Sequence, residues 1–230
     1  ATVAPPTTET RESRHPRPRG ETPARELRAA DSTGMTQVVL IRPGATVYDD
    51  QHRVQGVLDV PLSPRGLAEI DELSGRMAGM PLSALYSAPC ESAHRTAEAL
   101  GRVLGLRPRR LEDLRNLDIG LWQGLMTEEI RRRSPKVYRQ WLEHPATVVP
   151  PRGEPFDQAE ERLRSLLKPL VRRHRGETIG VVAPDPLACI IESLLRAENP
   201  IHFEEEHRTG CFEIITVAVE REGLLEAPGD

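Results

Sequence analysis

The residues best placed for chemistry follow a short apolar run, Val38 to Ile41: Arg42, Pro43, Gly44 and Thr46. Arg42 has a permanent positive charge and five N–H donors, the equipment for holding an anion. The carboxylates that could act beside it are Asp49, Asp118 and Asp185. Cys90 and Arg95 are spaced Cys-x4-Arg, with Pro89 ahead of them and no glycine between. A thiolate phosphate cradle needs Cys-x5-Arg, so that the loop amides wrap the anion. A cysteine packed at a strand–helix junction is the better reading of Cys90. Cys189 and Cys211 sit in apolar runs and read as core. Three widely separated cysteines suggest neither a disulfide framework nor a metal site. The chain has no Gly-x-x-x-x-Gly-Lys loop, Gly-x-Gly-x-x-Gly fingerprint or His-Glu-x-x-His, so neither cofactor nor metal is expected. Arg131-Arg-Arg133 reads as a solvated helix face.

The whole chain bounds what can position these groups. Its 230 residues allow one sizeable core. A net charge of -4 and a pI near 6 give no case for nucleic acid or an anionic membrane. No apolar run is long enough to span a bilayer, and no apolar leader stands at the start, so a cytoplasmic protein is expected. Residues 1–35 are rich in Pro, Arg and Thr and almost lack large apolar side chains, and read as a flexible arm. Its basic piece, Arg11 to Arg19, is diluted by Glu9, Glu12, Glu21 and Glu26, which favours a solvated linker over a docking tail. The folded domain is expected over 36–222, with a tail at 223–230.

Within that domain, Val38–Ile41 and Thr178–Ala183 read as buried parallel strands, each ending in a proline-containing loop. Ser63 to Met77 reads as a helix, with Ser63 as N-cap, Pro64 at its first position, and Leu67, Ile70, Leu73 and Met77 inward. Short strands are expected at 82–87 and 107–111. Helices are expected at 91–104, 127–133 (capped from its own start at Thr127), 137–143, 156–174 and 187–195. Pro169 should kink or shorten the long one. A last strand at 211–219 sets Phe212, Ile214 and Thr216 against Glu213 and Ile215. Strands alternating with helices imply an α/β sheet, with ligands at the carboxyl ends of its strands.

Further along lie Gln55-Gly56…Asp59-x-Pro61-Leu62-Ser63…Gly66, Tyr86-Ser87…Thr96-Ala97-Glu98, Leu114…Gly120-x-Trp122-x-Gly124 and Pro151-x-Gly153-Glu154. Together with Arg42-x-Gly44, their order and spacing resemble the histidine phosphatase (phosphoglycerate mutase-like) superfamily, from about Gln37 to Val219. The resemblance implies a three-layer α/β fold, with a mostly parallel central sheet and helices on both faces. It also implies phosphoryl transfer through a phosphohistidine. One His attacks phosphorus, a second His and two Arg hold the oxygens, and a carboxylate moves the leaving-group proton.

Carried onto this chain, the nucleophile falls on Pro43 and the second His on Pro184, followed by Asp185. The second Arg falls on Ser92, and the acid/base Glu on Asn116. Of that set Arg42 remains, beside Gly44 and Thr46. None of the seven histidines (His15, His52, His94, His144, His174, His202, His207) follows a buried strand in the required setting. The expectation is a pseudoenzyme with no catalytic residue. Arg42, Gly44, Thr46, Ser92, Asn116 and Asp185 would line a remodelled cleft that serves a protein partner or a weakly bound phospho-ligand, with a homodimer left open. The competing expectations are an active phosphatase or mutase using non-standard residues, and an assembly component tethered by the arm.

Overall fold

The computed structural model describes residues 35–197, 201–205 and 207–217. The expected arm up to residue 34, the tail at 223–230 and the last two residues of the expected final strand lie outside the described residues.

Strand β1 (Thr36–Arg42) is the axis of the fold, and all seven of its residues are buried. Its Val-Val-Leu-Ile stretch suits a pleated backbone, and a strand buried at every position is covered on both faces of its sheet. The other strands are β2 (Ala84–Ser87), β3 (Arg109–Arg110), β4 (Thr178–Val182) and β5 (Cys211–Val217), in the order β3-β2-β4-β1-β5. β1 pairs parallel with β4, Gln37 opposite Thr178 through Ile41 opposite Val182. β2 runs parallel to both β4 and β3. β5 closes the edge antiparallel to β1, with Leu40 opposite Glu213. The result is a mostly parallel α/β sheet covered by helices. The carboxyl ends of β1 and β4 lie side by side, so the loops that follow them meet there.

The helices are α1 (Val47–Asp50), α2 (Pro64–Met77), α3 (Glu91–Leu104), α4 (Thr127–Arg133), α5 (Pro135–Glu143), α6 (Phe156–Arg173) and α7 (Leu187–Arg196). The Ser63 hydroxyl accepts from the Gly66 amide and Pro64 opens α2, satisfying one orphan donor and needing none at the next position. Gly66, Ile70, Leu73 and Met77 form its inward stripe. Leu67, expected in the core, is 50% exposed. One step from Gly66 is about 100° around the helix, and Gly66 holds the inward place.

Two further expectations are corrected, at the third strand and at the cap of α4. The strand expected at 107–111 pairs only at Arg109–Arg110. α4 takes Met126 as N-cap, because the Thr127 hydroxyl donates to the His52 carbonyl instead. α6 runs through Pro169 to Arg173. Pro169 lies on its exposed side, where water can serve the carbonyl the proline leaves unpaired. On β5, Ile215 and Val217 are buried and Thr216 is exposed. Glu213 shares the face of Ile215 and Val217.

Candidate functional site

Arg42, the last residue of β1, is 1% exposed. Its guanidinium is held by three carboxylates. Nε donates to Asp185 at 3.0 Å, Nη2 to Glu192 at 3.1 Å and Nη1 to Glu213 at 2.5 Å. Each carboxylate comes from a different element: Asp185 from the loop after β4, Glu192 from α7 and Glu213 from β5. Two further arginines complete the group. Arg208 donates to Glu192 at 3.0 Å, and Arg196 to Glu213 at 2.9 Å. Three cations thus meet three carboxylates, and the cluster is formally neutral. Burial alone would lower the Arg42 pKa, but the Asp185 charge and the Glu213 hydrogen bond outweigh it and raise it further. Burial likewise opposes ionisation of Glu192, yet its contacts with Glu213, Arg208 and Arg42 hold its carboxyl down at about 2.

The loop after β1 has spent its amides too. Gly44 N–H donates to the Thr96 hydroxyl at 3.2 Å, Ala45 to Glu69 at 2.9 Å and Thr46 to Asp49 at 2.7 Å. Thr46 also caps α1, accepting from the Asp49 amide while Asp49 reaches back to it. The loop is pressed onto α2. A Cβ on Gly44 would lie 2.3 Å from the Gly66 carbonyl oxygen, and one on Gly66 would lie 1.9 Å from the Ala45 oxygen. Only glycine at both places permits that approach.

A strap, residues 207–210, crosses both loops. The Arg208 amide donates to Asp185 at 3.1 Å and the Gly210 amide to the Pro43 carbonyl at 2.8 Å. Thr209 donates to Glu69 at 3.1 Å. His207 Nδ1 lies 3.3 Å from Asp49. Burial would lower the His207 pKa, but its bond to Asp49 and the Asp185 and Asp49 charges raise it overall. Burial would raise Asp49, but the His207 and Thr46 hydrogen bonds lower it overall. Beside the strap opens a cavity of about 780 Å3. Glu192, Arg196 and Arg208 were not singled out from the sequence, and His207 and Glu213 were named there without this role. The one available signal was the pair Glu192 and Arg196, four apart on an otherwise apolar helix.

The other expected residues are placed as follows. Asn116 is buried and bonded at both ends: its Nδ2 donates to the Asp185 carbonyl at 3.1 Å, and its Oδ1 accepts from the Leu117 and Leu187 amides. Ser92 is fully buried in α3, with its hydroxyl 3.6 Å from the Cys90 sulfur. The Pro184 carbonyl accepts from the Ala188 amide. Arg42, Asp185 and Asn116 therefore come together. Gly44 and Thr46 stand beside them in the loop, and Ser92 sits below without a surface of its own. Asp118 caps the Gly120 amide at 2.9 Å. Cys90 is the half-buried N-cap of α3, and burial raises its pKa. Cys189 lies 3.5 Å from Asp185, where burial and the Asp185 charge push its thiol up to about 12. Among the described residues no group of three or more His, Cys, Asp or Glu is arranged to hold a metal ion, and no helix is long and apolar enough to cross a membrane.

Known proteins resemble this chain over most of its length. Phosphoserine phosphatase 1 of Hydrogenobacter thermophilus is 28% identical over 149 residues, 65% of this chain and 71% of that protein. The bifunctional protein Rv2228c of Mycobacterium tuberculosis is 31% identical over 168 residues, 72% of this chain. Those residues are 46% of the relative, so the chain spans about half its length. Among solved structures, mycobacterial glucosyl-3-phosphoglycerate phosphatase Rv2419c in complex with VO3 superposes with a TM-score of 0.65 at 29% identity, covering 70% of this chain and 83% of that one. The model of the histidine phosphatase superfamily (branch 1) matches residues 38–226, and the chain belongs to that superfamily.

Proposed function

We propose that this chain is a non-catalytic histidine phosphatase-like domain that acts by binding, with its phosphate position filled by its own carboxylates. The observation that carries this reading is the seating of Arg42 among Asp185, Glu192 and Glu213. A phosphoryl group needs a guanidinium with free donors and a surplus of positive charge. Here each of the three guanidinium nitrogens already donates to a carboxylate and the charge is balanced. A phosphate placed near Asp185 would be repelled by about 1 kcal/mol per unit charge at ~4 Å in water, and by about 4 kcal/mol near a protein surface.

The rest of the chemistry is missing for separate reasons. Pro43 and Pro184, where the resemblance places the two histidines, offer no side-chain lone pair and no backbone N–H. Asn116, at the acid/base position, has no transferable proton. Ser92, at the second arginine position, carries no charge and no surface. Cys189 brings a thiol close to Arg42, with its sulfur 4.0 Å from Nη2. A thiol pushed up to about 12 is almost wholly protonated at neutral pH and is a poor attacker.

The test is a phosphomonoesterase assay of the full chain with p-nitrophenyl phosphate, phosphoserine and 3-phosphoglycerate. No turnover above buffer is expected. An enzyme-like rate that Arg42→Ala abolishes would sink the proposal.

A further inference from the structure

Four arginines gather at the edge of the sheet farthest from β5. Arg109 and Arg110 form β3, Arg107 stands just before them, and Arg102 lies in the last turn of α3. The end of α3 is tied to that stretch. The Leu106 amide donates to the Gly101 carbonyl at 2.9 Å, and a Cβ on Gly101 would lie 3.1 Å from the Pro108 ring. All four arginines are exposed. Arg107, Arg109 and Arg110 have no side-chain partner among the described residues, and Arg102 donates to the Glu98 carbonyl, which is uncharged. The carboxylates next along the chain, Glu112 and Asp113, lie past the carboxyl end of β3. Cations on a sheet edge usually deter pairing with another chain. With two residues, β3 is already too short to be such a template, and Arg102 is not on the edge at all.

The topology directs an acidic segment towards this surface. β1, β4, β2 and β3 are parallel and β5 runs against them, so β5 ends on the side of the sheet from which β3 starts, with Val217 opposite Thr36. Residues 218–230, which follow Val217, hold Glu220, Glu222, Glu226 and Asp230 against one cation, Arg221. From β5 to β3 is four strand spacings, about 19 Å. Arg109 is level with Leu40 through Tyr86 and Val181, about 13 Å along the strands from Thr36, and so about 23 Å from Val217. An extended chain reaches about 30 Å by Glu226 and about 43 Å by Asp230. Arg172 and Arg173, exposed in the last turn of α6, stand beside that course. The Thr36 hydroxyl fixes that turn at the start of β1, donating to the Val171 and His174 carbonyls at 2.9 and 3.0 Å.

We propose that residues 218–230 dock as an acidic tail on the surface of Arg102, Arg107, Arg109 and Arg110, covering it within the same molecule. Glu226 and Asp230 meet the arginines of β3. Each exposed ion pair is weak and screened by salt, so the docking depends on several acting together and is lost at high ionic strength. This surface lies three strands from Arg42, and its docking is independent of the chemistry there.

The chain holds two lysines, Lys136 and Lys168, which makes new amines easy to trace. Arg107→Lys, Arg109→Lys and Arg110→Lys, made together in the full chain, keep the charge and supply amines that a water-soluble carbodiimide joins to carboxylates as amides. All three positions are exposed, so the thermal melt should be unchanged. At low ionic strength, mass spectrometry of the protein running at monomer mass should find links from these positions to Glu226 or Asp230. About 0.5 M NaCl should cut their yield by about fivefold or more. No link to residues 218–230 from any of the three positions overturns the proposal. So do links that salt leaves unchanged, or links found only between two copies of the chain.

Discussion

The loop at residues 43–46 and the charge cluster around Arg42 are adjacent in the chain but are held by different forces. The loop is fixed by shape. Gly44 and Gly66 bring two backbones into contact, and three successive amides each find an oxygen of the fold. The cluster is fixed by charge balance, with three arginines and three carboxylates drawn from β1, the loop after β4, α7, the strap and β5. A backbone contact tolerates almost no change of residue. Charge balance asks only that the sum and the reach of the side chains be right. On the proposed reading, Asp185 stands where an incoming anion would, while the frame around it keeps its form.

Removing the centre of the cluster tests this contrast most severely. Arg42→Ala leaves three carboxylates without their shared partner and should cost about 3–5 kcal/mol in urea unfolding. The combined Arg42→Met and Asp185→Leu protein should recover part of that loss, because a buried pair replaced by apolar groups is often neutral. A single-variant loss under about 1 kcal/mol would mean that the cluster contributes little to the fold.

The frame should respond to volume and not to charge. Gly66→Ala puts a methyl group where the Ala45 oxygen lies and should cost about 1–3 kcal/mol. Gly75→Ala on the same helix meets nothing within 4 Å and should stabilise by about 0.5–1 kcal/mol. Equal effects of the two in thermal melts would remove the argument from close approach. Ser63→Ala, which deletes the α2 cap beneath the loop, should cost about 1 kcal/mol by chemical denaturation.

The smallest effect joins the two regions through the strap. The His207 pKa is raised in the fold and that of Asp49 is lowered. A raised His stabilises fully below its unfolded pKa near 6.5 and loses this as pH rises through its folded pKa. A lowered Asp stabilises above its unfolded pKa near 3.9 and loses this as pH falls through its folded pKa. Their pair is therefore strongest between about pH 4 and 6.5 and weakens above. Hydrogen exchange at the Arg208 and Gly210 amides, corrected for its intrinsic pH dependence, should quicken from pH 6 to 8. His207→Gln should flatten that rise; an identical rise in the variant would assign it to another group.

Much of the frame was legible in the sequence because it depends on local rules. The apolar runs gave β1 and β4, and Ser63-Pro64 gave the start of α2. Leu67 was misplaced because periodicity counts apolar residues and passes over a glycine, although Gly66 holds the inward position. On β5 the alternation was visible but the choice of inner face was not, since Arg42 is what draws Glu213 inward. The Arg42–Asp185 meeting could be anticipated from two loops at the ends of neighbouring strands. Arg208 could not, and Glu192 and Arg196 were legible only as a pair four apart, since Glu192 reaches Arg42 across 150 residues. The histidine at 207 matters through Asp49, 158 residues away.

The central claim is that the protein's own carboxylates have taken the place of phosphate around Arg42. The most direct measurement is calorimetric titration of the wild-type chain and of Asp185→Asn with inorganic phosphate and vanadate, alongside the phosphomonoesterase assay. The account predicts no binding and no turnover for the wild-type chain, with weak anion binding gained when the Asp185 charge is removed. Binding of either anion by the wild-type protein, with turnover of a phosphomonoester, would contradict it.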